Sequence, residues 1–159
     1  MSIFVTATAP PILKTERVKQ ISLLYAVLLV IMAVAQLYTF DTFVELVSEY
    51  NLPFGGVLAF MVAPLLVVFE VFALPFLLRM KLSPAFRVVS MACGWLVALL
   101  WLFITVWLVT TYQPVETVGF LGTVGTLAPG WWAVLVSGSF GVLAIWASWG
   151  MWPFARSKK

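Results

Sequence analysis

The sequence lacks histidine and has a single cysteine, Cys93, among its 159 residues. Without histidine the chain has neither the commonest metal ligand nor the commonest general base, and one cysteine forms no intramolecular disulfide. These absences argue against a metalloenzyme or a triad hydrolase, so we predict no catalytic residue, no metal site and no other cofactor. Cys93 falls in an apolar stretch, where a thiol stays inert, and we interpret it as a packing residue.

Charge is also scarce, since Asp, Glu, Lys and Arg make up 9% of the chain and hydrophobic residues 64%. An ordinary soluble domain is about 25% charged and about 45–50% apolar. A chain this short cannot hide so much apolar surface in one core, so we expect its partner to be the lipid bilayer. The nine basic residues form no basic face, which argues against nucleic acid as a partner.

Four apolar segments are long enough to cross a bilayer as helices, which takes about 20 residues. They cover residues 21–40, 54–78, 86–110 and 130–152. The sequence therefore predicts an all-α, antiparallel four-helix membrane bundle over residues 21–152. Residues 1–20 and 153–159 would form two tails.

The basic residues all fall on one side of these predicted spans. They precede the first span, lie around the link between the second and third, or follow the fourth: Lys14, Arg17, Lys19, Arg79, Lys81, Arg87, Arg156, Lys158 and Lys159. The other two links carry acids and no basic residue: Asp41, Glu45, Glu49 and Glu116. By the positive-inside rule we predict a multi-pass protein of the cell (inner) membrane with both termini in the cytoplasm.

The first outer link, DTFVELVSEYNLP, has the pattern of an amphipathic helix. Its apolar residues recur at i, i+3, i+4 and i+7: Phe43, Leu46, Val47 and Tyr50. Thr42 and Glu45 match a capping box that would start the helix, and Pro53 would end it. We interpret this segment as a short interfacial helix, with a docking surface for a partner as the alternative.

The second outer link, TTYQPVETVGFLGTVGTLAP, is longer and more apolar than a solvated loop needs to be. Gly119, Gly122 and Gly125 allow unusual backbone angles. We predict that this loop folds back over the outer end of the bundle.

Glu70 is the one acidic side chain within a predicted span, in the stretch APLLVVFEVFALPFLL. It lies about 6 Å from the middle of its span, and Arg79 lies about 13 Å further along the helix, too far to pair with it. A charge at this depth costs at least about 2.5–3.5 kcal/mol. We therefore expect Glu70 to be protonated, hydrogen-bonded or facing internal water. Pro64 and Pro75 flank it, and each removes a helix hydrogen bond.

Polar residues of the other spans are candidate partners for Glu70 in a polar interior or ligand site. Tyr25, Ser90 and Ser148 lie at a similar predicted depth, and Gln36 lies further towards the outer side. The pattern leaves two interpretations open. Glu70 is either a structural lock between helices or part of a ligand site, the default reading of an acid inside the membrane.

Three stretches, EYNLP, APLLVVFEVFALPFLL and RMKLSPAFR, occur in an order that resembles the DoxX/MauE group of small four-helix membrane proteins. The resemblance covers about residues 21–146 and implies a four-helix bundle with Glu70 at the position of the family glutamate. MauE-type members carry an outer Cys-x-Cys motif, where this chain reads ETVGFLGTVG. The resemblance therefore implies the bundle without the thiol chemistry.

The resemblance also implies a link to redox or quinone systems. We accordingly predict a non-enzymatic accessory or assembly protein that serves a membrane or extracytoplasmic redox protein. One alternative is a small lipid- or quinone-binding carrier with Glu70 in its site. The other is a scaffold subunit of a larger membrane complex.

Overall fold

The computed structural model describes residues 15–53 and 56–151. Within these ranges the chain is all-helical, with five helices. They are α1 (Glu16–Tyr38), α2 (Phe40–Glu49), α3 (Gly56–Leu77), α4 (Pro84–Thr110) and α5 (Trp131–Gly150). All except α2 are long and apolar enough to cross a membrane. The prediction of four long apolar helices and one short helix is therefore confirmed.

The helix boundaries lie close to the predicted ones, with one clear difference at the start of the chain. α1 begins at Glu16, so residues 16–20 are helical and not part of a tail. The predicted tail residues Lys14, Arg156, Lys158 and Lys159 lie outside the described residues. α4 begins as its sequence suggests, because Ser83 accepts a hydrogen bond from the backbone N–H of Phe86 and proline occupies the first helical position.

The capping box predicted for α2 is wrong. α2 begins at Phe40 with Thr39 as its N-cap residue, which makes no side-chain capping bond. The reason is that α1 continues to Tyr38, so the chain turns into α2 before it reaches Thr42. The Thr42 hydroxyl instead donates to the carbonyl of Thr39 at 3.0 Å and lies 2.8 Å from the hydroxyl of Thr123.

The four long helices pack in a ring: α1 contacts α3 and α5, and α4 contacts the same two helices. α2 packs mainly on α3. The amphipathic pattern of α2 is confirmed, because its apolar face is buried: Phe43, Leu46, Val47 and the adjoining Tyr50. The beginning of α1 and the end of α5 meet so closely that a Cβ atom on Gly150 would overlap the side chain of Val18.

Among the described residues the two ends of the bundle carry net charge of opposite sign, with Glu16 as the one acid at the basic end. The basic end comprises the first turn of α1, the α3–α4 link and the first turn of α4, with Arg17, Lys19, Arg79, Lys81 and Arg87. The acidic end comprises α2 and the cap loop, residues 111–130, with Asp41, Glu45, Glu49 and Glu116. Between the two ends the helices expose large apolar side chains, for example Val34, Val68, Leu99 and Leu135. Such a wide apolar belt is typical of a membrane or protein interface.

Candidate functional site

Glu70 lies in the interior of the bundle with no exposed surface. Its Oε1 atom accepts a hydrogen bond from Nε2 of Gln36 at 3.2 Å and another from Nε1 of Trp101 at 3.2 Å. Gln36 belongs to α1 and Trp101 to α4, and both are fully buried. The carboxyl group of α3 is thus held by neutral donors from two other helices.

Gln36 reaches Glu70 although the two residues start at different levels of the bundle. Gln36 lies in the last turn of α1, whereas Glu70 lies about two turns before the end of α3. Helical side chains lean towards the N-terminus of their own helix. Two long side chains that lean towards each other bridge this offset, which short side chains do not.

The same amide joins the network to the cap loop, because Nε2 of Gln36 also donates to the backbone carbonyl of Phe120 at 3.1 Å. The Phe120 ring is buried, and its centre lies 4.7 Å from that of Trp101 and 5.8 Å from that of Phe140. The cap loop therefore inserts an aromatic side chain between the helices at the acidic end. This confirms the prediction that the second outer link folds back over the bundle.

Tight backbone turns place Phe120 in this position. Gly119 and Gly122 both adopt positive φ angles, +81° and +57°. A Cβ atom on Gly119 would also lie 2.6 Å from the hydroxyl oxygen of Tyr50, so glycine is required there by conformation and by space. Gly125 lies in the same loop without a positive φ angle.

Tyr50 fixes the loop to the end of α2. Its hydroxyl donates to the backbone carbonyl of Val118 at 2.7 Å, while its own carbonyl accepts from Nε1 of Trp107 at 3.1 Å. Burial raises the pKa of the Tyr50 phenol well above its ordinary value, and the nearby Glu49 carboxylate raises it further. The phenol therefore stays a hydrogen-bond donor at neutral pH.

Two buried oxygen atoms of the network have no hydrogen-bond partner among the described residues: Oε2 of Glu70 and Oε1 of Gln36. An ionised carboxylate and an amide carbonyl are both acceptors, so neither can satisfy the other. A proton on Oε2 of Glu70 would turn that atom into a donor. It would also remove a charge from a fully buried position, where a charge is costly.

The other predicted partners of Glu70 lie elsewhere in the interior. Tyr25 donates to the carbonyl of Gly94 at 2.8 Å, which links α1 to α4. Ser148 donates to Ala144 in its own helix at 2.7 Å and accepts from Nε1 of Trp95 at 2.8 Å. The cleft beside these residues is too narrow to hold a water molecule.

Ser90 repairs the break that Pro75 makes in α3. Proline lacks an N–H group and disturbs the hydrogen bonds of the turn before it. Ser90 accepts from the N–H of Phe76 at 3.0 Å and donates to the carbonyl of Phe72 at 2.6 Å. It thereby bridges two backbone groups that pair directly in a regular helix, as Ser and Thr do beside prolines in membrane helices.

Sequence reasoning missed Trp101 as a partner of Glu70. A usable signal existed, because Trp101 follows Gly94 by seven residues and Val97 by four, and all three lie on one face of α4. The carbonyl of Phe120 was not predictable in this way, since a backbone atom of a loop leaves no mark in the side-chain pattern.

A second feature of the acidic end is a depression of 440 Å³ between α2 and the cap loop. Three carboxylate residues line it, Glu45, Glu49 and Glu116, together with hydroxyl groups such as those of Thr123 and Thr126. This surface carries negative charge, which suits a complementary basic surface.

The fold and the buried network define a class: a compact bundle of four candidate membrane helices, closed at one end by a loop that is hydrogen-bonded into the core. Comparison of the chain with known family models, curated proteins and solved structures finds no match. The resemblance to the DoxX/MauE group stays a prediction.

Proposed function

We propose that this chain is a multi-pass protein of the cell (inner) membrane whose four long helices cross the bilayer in alternating directions. The length, the apolar character and the outward-facing belt of these helices support insertion. The contact of the beginning of α1 with the end of α5 supports the alternation. The separation of basic and acidic ends supports a cytoplasmic location for both termini by the positive-inside rule.

A labelling experiment tests this topology. Single cysteines at Lys81 and Glu116, in a Cys93→Ser background, are treated in intact cells with a membrane-impermeant maleimide. We expect labelling at position 116 alone, and labelling at position 81 only after the membrane is permeabilised. Equal labelling of both positions in intact cells contradicts the layout.

The function that the geometry supports best is that of an accessory or assembly protein that presents its acidic end to a partner. The observation that carries this proposal is the bond from Gln36 to both Glu70 and Phe120, because it fixes the cap loop to the core. A surface held in this way is already ordered before a partner arrives, which lowers the entropic cost of binding. The resemblance to the DoxX/MauE group suggests that the partner belongs to a redox or electron-transfer system.

The carrier alternative requires space for a ligand at Glu70. Aromatic rings and neutral donors occupy the described surroundings of the carboxyl group, which argues against this alternative. The scaffold alternative fits the same packed interior, so an experiment has to separate it from the accessory role.

Photo-crosslinking from two positions makes that separation. A photoreactive amino acid replaces Thr126 in the acidic depression, or Leu99, which is 55% exposed on the apolar flank of α4. The accessory role predicts a discrete adduct from position 126 with a redox protein, and lipid alone at position 99. A protein adduct from position 99 favours a scaffold subunit, and the absence of any protein adduct from position 126 refutes the accessory role.

A further inference from the structure

A groove of 550 Å³ lies at the basic end, between the first turn of α1 and the second half of α5. This volume falls within the range of about 300–1,000 Å³ that is typical of small-molecule sites. Arg17 and Val18 line it on α1, and the α5 side includes Ile145. Its floor is the contact of Val18 with Gly150, where the two helices converge.

The α5 wall of the groove is one apolar stripe. Its residues are spaced at i, i+3, i+4 and i+7: Val142, Ile145, Trp146 and Trp149. They are 57%, 47%, 49% and 70% exposed, respectively, so α1 and α4 leave this face of α5 uncovered. The stripe runs for about 10 Å along the helix axis, which matches an extended hydrocarbon chain lying parallel to the helix.

The charge at the mouth of the groove is positive. Arg17 is exposed there, and the nearest acid in the sequence, Glu16, lies 4.0 Å from the ammonium group of Lys19. The flanking residues 1–14 and 152–159 contain no Asp or Glu, but four further basic residues. These segments add positive charge and no acidic side chain, which favours an anion from outside the protein as the complement of this end.

We propose that this groove binds one anionic phospholipid, with its phosphate at Arg17 and an acyl chain along the Val142–Trp149 stripe. Basic sites between membrane helices on the cytoplasmic side hold anionic headgroups in this way. Tryptophan rings suit the position because they prefer the boundary between headgroups and hydrocarbon. The site depends on membrane insertion but not on the proposed accessory role, and it is separate from Glu70.

Native mass spectrometry of the full-length protein in mild detergent tests the headgroup. Phosphatidylglycerol and phosphatidylcholine with identical acyl chains are added in turn. We expect one bound phosphatidylglycerol, and binding on the order of tenfold weaker in Arg17→Gln, the effect of one charge-assisted contact. Lys19→Gln is the matched control, because it removes the same charge outside the groove and leaves binding unchanged.

Three results overturn the headgroup assignment. They are equal retention of the two lipids, an equal loss in Lys19→Gln and Arg17→Gln, and displacement of the lipid by millimolar inorganic phosphate. The second would mean that the protein responds to overall charge and has no defined site.

A photoreactive group at Val142 tests the acyl chain, with the same group at Leu99 as the control. In an equal mixture of phosphatidylglycerol and phosphatidylcholine, we expect adducts from position 142 to be enriched in phosphatidylglycerol and adducts from position 99 to contain the two lipids equally. Equal proportions at position 142 refute the site. An adduct between position 142 and a peptide from residues 1–14, or from a second copy of the chain, refutes the lipid assignment. Failure of membrane insertion itself is recognised separately, because the maleimide topology experiment then fails as well.

Discussion

Replacement of Glu70 by leucine is the most direct test of the buried network. The substitution keeps a side chain of similar size but removes the acceptor shared by Trp101 and Gln36. Gln36 keeps a second acceptor, the carbonyl of Phe120, whereas Nε1 of Trp101 has no other hydrogen bond of this kind in the described structure. The main cost of Glu70→Leu is therefore an unpaired indole N–H group in a fully buried position.

The size of this effect follows from two general magnitudes. A buried donor left without a partner costs about 1–3 kcal/mol, and hydrogen bonds between membrane helices contribute about 0.6 kcal/mol on average and about 1.7 kcal/mol at most. Removing the buried carboxyl group also removes the cost of its desolvation, which by itself raises the free energy of unfolding. This gain is small if Glu70 is neutral. We expect a net loss of about 1–3 kcal/mol in the free energy of unfolding. This corresponds to a Tm about 3–10 °C lower for a chain of this size.

Cys93 makes the measurement possible without an added label. It is the chain's one cysteine and is 6% exposed, so a maleimide dye reacts with it when the bundle opens. Glu70→Gln is the matched variant, since its amide keeps an acceptor for Trp101 and supplies a donor in place of Oε2, and its Tm should stay within about 3 °C of the wild type. Val71→Leu, on the neighbouring outward-facing position, controls for the substitution itself. A Tm for Glu70→Leu equal to or above that of the wild type would refute the lock, and an equal loss in Glu70→Gln would refute a neutral Glu70.

Three further predictions concern the cap loop and α3. Gly119→Ala should lower the Tm by several degrees, because the position has a positive φ angle and the added Cβ atom would lie 2.6 Å from the hydroxyl of Tyr50. Gly94→Ala is the control: its added Cβ atom makes only ordinary contacts, so the Tm in the same dye assay should not change. Ser90→Ala should lower the free energy of unfolding by about 1–2 kcal/mol, because the N–H of Phe76 and the carbonyl of Phe72 lose the hydroxyl that bridges them. Ser90→Thr keeps the hydroxyl and should recover part of this loss. Equal stability of the wild type and both variants would contradict the bridging role. The raised pKa of Tyr50 means that the folded state holds the phenolic proton more tightly than the unfolded state, so this contribution to stability is full below about pH 10 and falls above it. Tyr50→Phe should weaken the fall in Tm between pH 8 and 11, and a fall as steep as that of the wild type would exclude this phenol as a source.

Hydropathy and periodicity predicted the helices, the burial of Glu70 and the return of the cap loop, because each depends on the local pattern of apolar residues. The partners of Glu70 were harder to predict, since depth along a helix is one coordinate and rotation about its axis is another. Tyr25, Ser90 and Ser148 have a suitable depth, but their hydroxyl groups bond to backbone carbonyls or to another side chain.

Competition from the backbone explains these differences. Pro75 opens the hydrogen bonding of α3 where Ser90 faces it, and the carbonyl of Gly94 is not shielded by a side chain of its own. A residue's best partner is therefore decided by which backbone groups its neighbours leave unsatisfied, a property of the packed structure. Long side chains such as Gln36 then reach partners at a different depth from their own backbone. The depth of a residue along its helix therefore does not identify its partner.

The two ends of the bundle are built in opposite ways, and this asymmetry connects the two proposals. At the acidic end, the contacts of Gln36 and Tyr50 with the cap loop and the positive φ angle of Gly119 hold one fixed surface. At the basic end, α1 and α5 approach closely at Val18 and Gly150 and leave an apolar groove beside Arg17. A fixed polar surface suits recognition of a protein, because little order has to be gained on binding, whereas an open apolar groove suits a mobile acyl chain. Variants at Arg17 should therefore change lipid retention without changing crosslinking from position 126. Substitution of Gly119 should change that crosslinking without changing lipid retention. A variant at either end that changes both measurements would show that the two ends are coupled through the core.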